Sequence, residues 1–320
     1  MVLQAQKVQS EMNRLIPMPY ELEGRIEIII NSQKGLFKEQ AEHYLSRGGK
    51  KLRPLLVMIS ASFKPSDREA VLDVAAAAEL IHTASLIHDD IVDRADLRRG
   101  QVTLNKRFGD HVAVLTGDFL FARALEVLSR YSTFGVLEIM AEAIRVMSEG
   151  EIEQVNSAYD FQMSKEKYME MVTKKTGCLF GACCEAGGRL SGMQENEISA
   201  LRNYGVHLGC AFQVEDDIND IISDLSDTGK SVGLDICQGL ITLPAIYALN
   251  HKIHGPVLKQ MLTAEEYTPE VLHRFRHLLN ESGGIRFAYA EVRRLIREAK
   301  QSLDILPHHR AKELLLDISD

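Results

Sequence analysis

Apolar residues recur at helical spacing along almost the whole chain, and the alternating polar–apolar stretches that build half-buried strands are nearly absent. Leu22, Ile26, Ile29, Ile30 and Leu36 illustrate the spacing. That pattern leaves an all-α architecture. Prolines, glycines and polar clusters then set the boundaries. Helices are expected over 1–16, 20–46, 54–63, 67–94, 109–130, 134–158, 164–191, 194–224, 241–250, 256–262, 269–281, 284–302 and 307–318, with loops at 97–103 and 225–240. No repeat, low-complexity linker or shift in composition marks a second domain. The expectation is a single domain over 1–320, a bundle of roughly a dozen helices.

One stretch of this bundle is chemically unusual. Residues 79–107 begin as an apolar, Ala-rich helix and then deliver Asp89, Asp90 and Asp93 together. Asp89 and Asp93 are spaced i,i+4, so their carboxylates sit one turn apart on one face and repel each other unless a cation intervenes. Hard oxygen ligands of this kind suit Mg²⁺, which takes one or two carboxylates and shares itself with phosphates. Arg98 and Arg99 follow, and guanidinium groups fork onto phosphate oxygens. An isolated cluster of this sort is equally well a solvated helix end or a cap. A second copy changes the balance: FQVEDDIND at 212–220 again places two aspartates, Asp216 and Asp217, ahead of a third, Asp220. Two such helices facing each other across a bundle are a usual way to build a carboxylate site.

Composition narrows the function. A net charge of −8 argues against a general nucleic-acid binder. The five cysteines, Cys178, Cys183, Cys184, Cys210 and Cys237, form neither CxxC nor a zinc spacing and read as buried free thiols, which fits a reducing cytoplasmic setting. No apolar run resembles a signal peptide, and none reaches the uninterrupted length of a membrane span, although transient membrane contact stays open.

Other residues fit an anion site less directly. GGKKLRP at 48–54 puts Lys50 and Arg53 at a helix entrance, where cations oppose the macrodipole unless an anion lies between them and the free N–H groups. In isolation the segment reads equally as a basic surface turn. His82 lies two turns before Asp89 on nearly the same face, whereas His88, adjacent to the cluster, reads as structural or as an outer support of it. Lys175, Thr176 and Gly177 interrupt a helical segment, Lys230 sits in the loop after the second cluster, and Gln213 and, less directly, Gln154 could face the site. No GxxxxGK[ST], GxGxxG or GxSxG occurs.

Taken together, GGKKLRP, ELIHTASLIHDDIVDRADLRRG, KTG, FQVEDDIND, GKSVGLD and QGLITLP resemble the trans-isoprenyl diphosphate synthase family, and more closely its long-chain polyprenyl branch. These landmarks run from residue 48 to 244. The resemblance implies an isoprenoid-synthase fold around a deep central cavity, three Mg²⁺ ions, and a condensation of isopentenyl diphosphate with an allylic prenyl diphosphate. It implies that Asp89, Asp93 and Asp216 are metal ligands, with Asp90, Asp217 and Asp220 supporting them. Arg98, Lys175 and Lys230 match binders of the allylic diphosphate; Thr176 and Gln213 match residues near the reacting carbon. Lys50, Arg53, His82 and Arg99 match the isopentenyl diphosphate site. Five residues before the first aspartate, where short-chain members carry a bulky aromatic, this chain has Ala84. Ala77 lies two turns earlier and Ile81 one turn away, which implies a product of six to eight isoprene units. Leu240 stands where many members carry lysine. Family members are usually dimers, so the resemblance implies a homodimer, or a heterodimer with a small accessory subunit. A helical terpene cyclase is disfavoured by the second aspartate cluster, by GGKKLRP and by the paired arginines. A non-catalytic binding subunit is disfavoured by the intact clusters.

Overall fold

The structure is a computed structural model that describes residues 19–31, 39, 51–98, 100–222, 234–263 and 267–320. The expected helix over 1–16, nearly all of 32–50, and the expected loop from 225 to 233 lie outside the described residues. In chain order the helices are α1 (Pro19–Asn31), α2 (Leu52–Ala61) and α3 (Arg68–Val92), followed by the strands β1 (Leu97–Arg98) and β2 (Gln101–Val102). Then come α4 (Leu104–Phe108), α5 (Asp110–Ser129), α6 (Val136–Asn156), α7 (Lys165–Val172), a π-helical turn (Thr173–Gly177), α8 (Cys178–Leu190) and α9 (Glu195–Ile222). The chain ends with α10 (Leu234–Cys237), α11 (Leu243–Leu249), α12 (His254–Leu262), α13 (Pro269–Glu281), α14 (Gly284–Ser302) and α15 (Arg310–Ile318).

The all-α expectation holds, with three local corrections. The expected loop at 97–103 contains a small antiparallel hairpin, Leu97 opposite Val102 and Arg98 opposite Gln101. The expected loop at 225–240 contains α10, too short to show a period. The interruption at 173–177 is a widened turn inside a continuous helical run, a feature often found at functional sites.

The chain divides into two compact units. The first comprises Met1–Ile144, Leu179–Gly205 and Ala299–Asp320, and α3 is its central helix. Ala75, Ala76, Ala77 and Ala78 have no exposed surface, and side chains this small let neighbouring helices approach α3 closely; α5 packs against it most extensively, then α2 and α1. Asp67 caps α3, its side chain accepting from the Glu69 N–H at 2.9 Å. Buried Asp73 is answered by Arg25 at 3.0 Å and by the Tyr131 hydroxyl at 2.7 Å. Arg123, also buried, donates to the Ile29 carbonyl at the end of α1. By composition α3 is long and apolar enough to cross a bilayer, yet 78% of its most apolar window is buried within the protein, as in a core helix.

The second unit comprises Arg145–Cys178 and Val206–Glu298. Its core gathers Val214, Ile218 and Ile221 of α9, Leu243 and Ile246 of α11, Leu258 and Leu262 of α12, Phe275 and Leu279 of α13, and Leu295 of α14. Each fully buried aliphatic side chain stabilises the fold by about 1.5–3 kcal/mol, and Val214 and Ile218 fix which face of α9 turns inward. Glu291 of α14 is bridged to α7 by Lys165 at 2.7 Å and held by Arg294 at 2.6 Å. Helices α6, α9 and α14 each contribute residues to both units.

Candidate active site

The first aspartate cluster sits at the C-terminal end of α3, where carbonyl groups already point outward. The helix stops because Arg94 adopts a left-handed conformation (φ +50°). The Arg94 N–H then reaches the Ile91 carbonyl at 3.1 Å and the Ala95 N–H reaches that of Asp90 at 2.9 Å, the paired bonds of a helix C-cap. Asn105 donates to the Asp90 and Ala95 carbonyls, and the Thr103 hydroxyl to that of Ala95 at 2.6 Å, which ties the hairpin to the helix end. The hairpin returns Arg98 onto the cluster, where its Nε donates to the buried Asp90 carboxylate. Asp89 and Asp93, one turn apart, remain partly exposed.

The second cluster lies on α9 in the second unit. Its central residue, Asp217, is buried and accepts from the Tyr168 hydroxyl at 2.5 Å and from Gln213 Nε2 at 2.8 Å. Gln213 Oε1 in turn accepts from the Thr176 hydroxyl at 2.7 Å, so the π-helical turn and α9 are joined through one oriented amide. Asp216 is exposed and Asp220 partly so. Burial pushes the Asp217 carboxyl up to about 7; the hydrogen bonds from Tyr168 and Gln213 oppose this, Asp216 adds to it and Lys175 works against it. Burial and then the charge of Asp217 carry the Tyr168 phenol well above its usual range.

Lys175 projects from the π-helical turn and donates to Glu151 Oε2 at 2.9 Å and Gln154 Oε1 at 3.2 Å, both on α6. The approach depends on Gly150: a Cβ there would stand 2.7 Å from the Lys175 amide nitrogen, so a larger residue would push the turn away. Asp235 on α10 joins this region, its N–H donating to Asp220 Oδ2 at 3.3 Å. Desolvation first, then the charges of Asp217 and Asp220, hold its carboxyl well above the usual range. Asp216, Asp217, Asp220 and Asp235 thus crowd negative charge around one end of the second unit.

A polyprenyl synthetase family profile matches residues 34–279. The chain belongs to the polyprenyl synthetase family. It is a prenyltransferase of the polyprenyl diphosphate synthase type, with the isoprenoid-synthase fold. It is 34% identical over 293 residues to the octaprenyl diphosphate synthase of Escherichia coli strain K12, covering 91% of this chain and 90% of that protein. It is 35% identical over 300 residues to heptaprenyl diphosphate synthase component 2 of Geobacillus stearothermophilus, covering 93% and 92%. A polyprenyl synthase from Caulobacter crescentus CB15, crystallised with calcium and isoprenyl diphosphate, superposes with a TM-score of 0.91 at 33% identity, covering 98% of this chain and 96% of that one.

Within the synthase, the second unit brings Lys175, Thr176, Gln213 and the Asp216–Asp220 cluster together, and the first unit brings Arg98 to Asp90. Arg53 lies over the Phe180 ring at 4.7 Å. His82 is partly exposed, and its carbonyl accepts from the Ser85 hydroxyl. His88 Nε2 lies 3.2 Å from the Val114 carbonyl, and its ring fills the space beside Gly117. Lys50, Arg99 and Lys230 lie outside the described residues. Ala77, Ile81 and Ala84 are fully enclosed on α3.

Sequence reasoning missed Tyr168, Glu151 and Asp235. Asp235 stood inside the GKSVGLD landmark and Glu151 inside EGEIEQ, so proximity to a motif was the available signal. Tyr168 had none, because its partner is 49 residues away.

Proposed function

We propose that the synthase condenses isopentenyl diphosphate with an allylic diphosphate, farnesyl or geranylgeranyl diphosphate, to an all-trans polyprenyl diphosphate of six to eight isoprene units for a quinone side chain, with residues 1–320 forming one catalytic domain. The observation that carries this reading is the same division of labour in both clusters. The central aspartate is buried and consumed by protein partners, Arg98 for Asp90 and Tyr168 with Gln213 for Asp217. The flanking i,i+4 residues are left at the surface.

Such a donor set, all hard oxygen, fits Mg²⁺. Asp89 and Asp93 would hold it at the first cluster, and Asp216 with Asp220 at the second, three ions in all on the family pattern. Bound Mg²⁺ would supply Lewis-acid stabilisation of a departing diphosphate. The chain's own groups do the rest. Lys175, Lys230 and Arg98 (acting as part of its pair with Asp90) place fixed positive charge where the diphosphate leaves, which favours breaking of the allylic C–O bond. Lys50, Arg53, His82 and Arg99 hold isopentenyl diphosphate so that its double bond attacks the allylic cation. Thr176 and Gln213, locked to each other, present a fixed dipole beside that cation. The proton lost after bond formation goes to the released pyrophosphate, so no side-chain base is required.

Chain length rests on Ala84 being small. Because Ala77, Ile81 and Ala84 are enclosed, neighbouring side chains must swing aside as the product grows. Ala84→Phe shortens the product at a stability cost of about 1–3 kcal/mol from overpacking; an unchanged product ladder with a lowered Tm places the growing chain elsewhere.

The deciding experiment incubates the purified chain with Mg²⁺, labelled isopentenyl diphosphate and farnesyl diphosphate, and sizes the products. A ladder ending at six to eight units supports an enzyme that needs no second kind of subunit, and sedimentation of the same sample tests the proposed homodimer. Products of three or four units refute the length assignment and keep the reaction. A relative described as component 2 favours a second reading, a catalytic subunit that needs a small partner. Absence of product with Mg²⁺-dependent diphosphate binding intact supports that reading.

A further inference from the structure

Tyr159, in the turn after α6, is a non-glycine residue held in the left-handed region (φ +59°), a conformation that persists only where surrounding contacts enforce it. The contacts come from Gly239. The Tyr159 N–H donates to the Gly239 carbonyl at 2.8 Å. Its ring lies so close over Gly239 that a Cβ there would stand 2.5 Å from the phenol carbon Cζ. Gly239, itself at φ +76°, is the residue that ends α10: its N–H donates to the Ile236 carbonyl at 3.0 Å, and the next N–H, of Leu240, to that of Asp235 at 2.8 Å. Asp235 is therefore gripped at both ends, its carbonyl by this cap and its N–H by Asp220 Oδ2. Tyr159 keeps 47% of its surface exposed, so it acts as a clamp on the turn and adds little to the core.

We infer that Tyr159 is a positioning residue, whose ring and N–H lock the 235–240 turn and thereby hold Asp235 against Asp220 and the second aspartate cluster. The inference rests on the reading that this cluster takes a divalent cation. It deepens that reading by naming what sets the geometry of the cluster from outside. A side chain at 239 would be strained by the positive φ and would have to displace the Tyr159 ring.

Two variants of the full chain test the clamp. Tyr159→Gly relieves the left-handed strain and removes the ring; Tyr159→Phe keeps the ring and removes the hydroxyl. Hydrogen exchange of the peptide containing the Gly239 and Leu240 amides reads the turn directly. Mn²⁺ titration without substrate, with free ion followed by electron paramagnetic resonance, reads the cluster. The expected result is faster exchange in Tyr159→Gly and a weakening of Mn²⁺ binding by about tenfold, the usual size for losing an outer support of a metal ligand. Tyr159→Phe should match the parent in both. Unchanged exchange in Tyr159→Gly overturns the clamp. Faster exchange with unchanged Mn²⁺ affinity overturns its link to the cluster, and equal impairment of both variants assigns the effect to the hydroxyl and overturns the ring's role. Asp216→Ala serves as the reference: if it binds Mn²⁺ as tightly as the parent, the metal reading itself fails and the inference falls with it, whatever the exchange data show.

Discussion

The two aspartate clusters share a sequence pattern and solve the burial of their central carboxylate in opposite ways. At the end of α3, Asp90 is answered by a full positive charge, the Arg98 guanidinium, returned by a hairpin only eight residues on. On α9, Asp217 is answered by two neutral donors, Tyr168 and Gln213, and shares its surroundings with Asp216, Asp220 and Asp235. A buried carboxylate balanced by a guanidinium is tolerated as it stands, whereas one balanced by a hydroxyl and an amide, among other carboxylates, has no compensating charge and resists ionising until a cation arrives. The cation that opposes the rise at Asp217 is Lys175, which also serves Glu151 and Gln154. The second cluster is therefore the one whose electrostatics most demand an added cation.

The largest effect should come from the surface aspartates that both clusters have in common. Asp89→Ala and Asp216→Ala are each expected to lower turnover about a thousandfold or more at saturating Mg²⁺, the scale of losing a main electrostatic stabiliser of a transition state. Steady-state incorporation of labelled isopentenyl diphosphate measures this, and a near-normal rate in either variant rejects the metal assignment of that cluster. The central aspartates should then part company in stability. Asp90→Asn strands the Arg98 charge and is expected to cost about 3 kcal/mol. Asp217→Asn keeps an acceptor for one donor and removes a repelled charge, so it should cost about 1 kcal/mol or less without metal. Urea unfolding of both variants in EDTA tests the contrast; equal costs would erase the distinction between a charge-paired and a neutral-bonded cluster.

What was legible in the sequence follows the reach of local rules. The i,i+4 spacing of Asp89 with Asp93, and of Asp216 with Asp220, needs only the helical period, so the outward-facing pairs could be read directly. The partners of the central aspartates could not. Arg98 was visible as a phosphate ligand, but its turn onto Asp90 depends on a two-residue hairpin with no alternating pattern to announce it. Tyr168 reaches Asp217 only through tertiary packing of α7 on α9. The widened turn at 173–177 has no signature beyond an interrupted pattern, and α10 is too short to show one. Asp235 lay within a landmark without a role of its own and Tyr159 within none, because what gives them meaning is a contact with Asp220 or Gly239 made by the fold.

The smallest effect, and the one most particular to the second cluster, is in the pH dependence of the metal-free protein. Asp217 is raised from 3.8 to about 7 in the fold, chiefly by burial. Between those values the folded chain holds a proton that the unfolded chain has released, so stability is fully present below the unfolded value and is lost as pH rises through the folded one. Asp235 is raised as well and adds to the same trend. Each such group contributes a slope of at most about 1.4 kcal/mol per pH unit. Glu291 has the opposite sign: burial raises it, but Arg294 and Lys165 together prevail and leave it lowered, so its contribution is lost only as the solution becomes more acidic than the usual glutamate value of 4.5. Below pH 6.5 the His207 imidazole, held down chiefly by burial, works against this fall in stability, so between pH 5 and 7 it is the comparison of the parent with Asp217→Asn, which share His207, that isolates the second cluster. In EDTA, the urea midpoint should fall across that window, Asp217→Asn should flatten most of the fall, and saturating Mg²⁺ should reverse it by favouring the ionised carboxylates. If Asp217→Asn leaves the profile between pH 5 and 7 unchanged, Asp217 is already ionised in the parent and the second cluster holds no proton there.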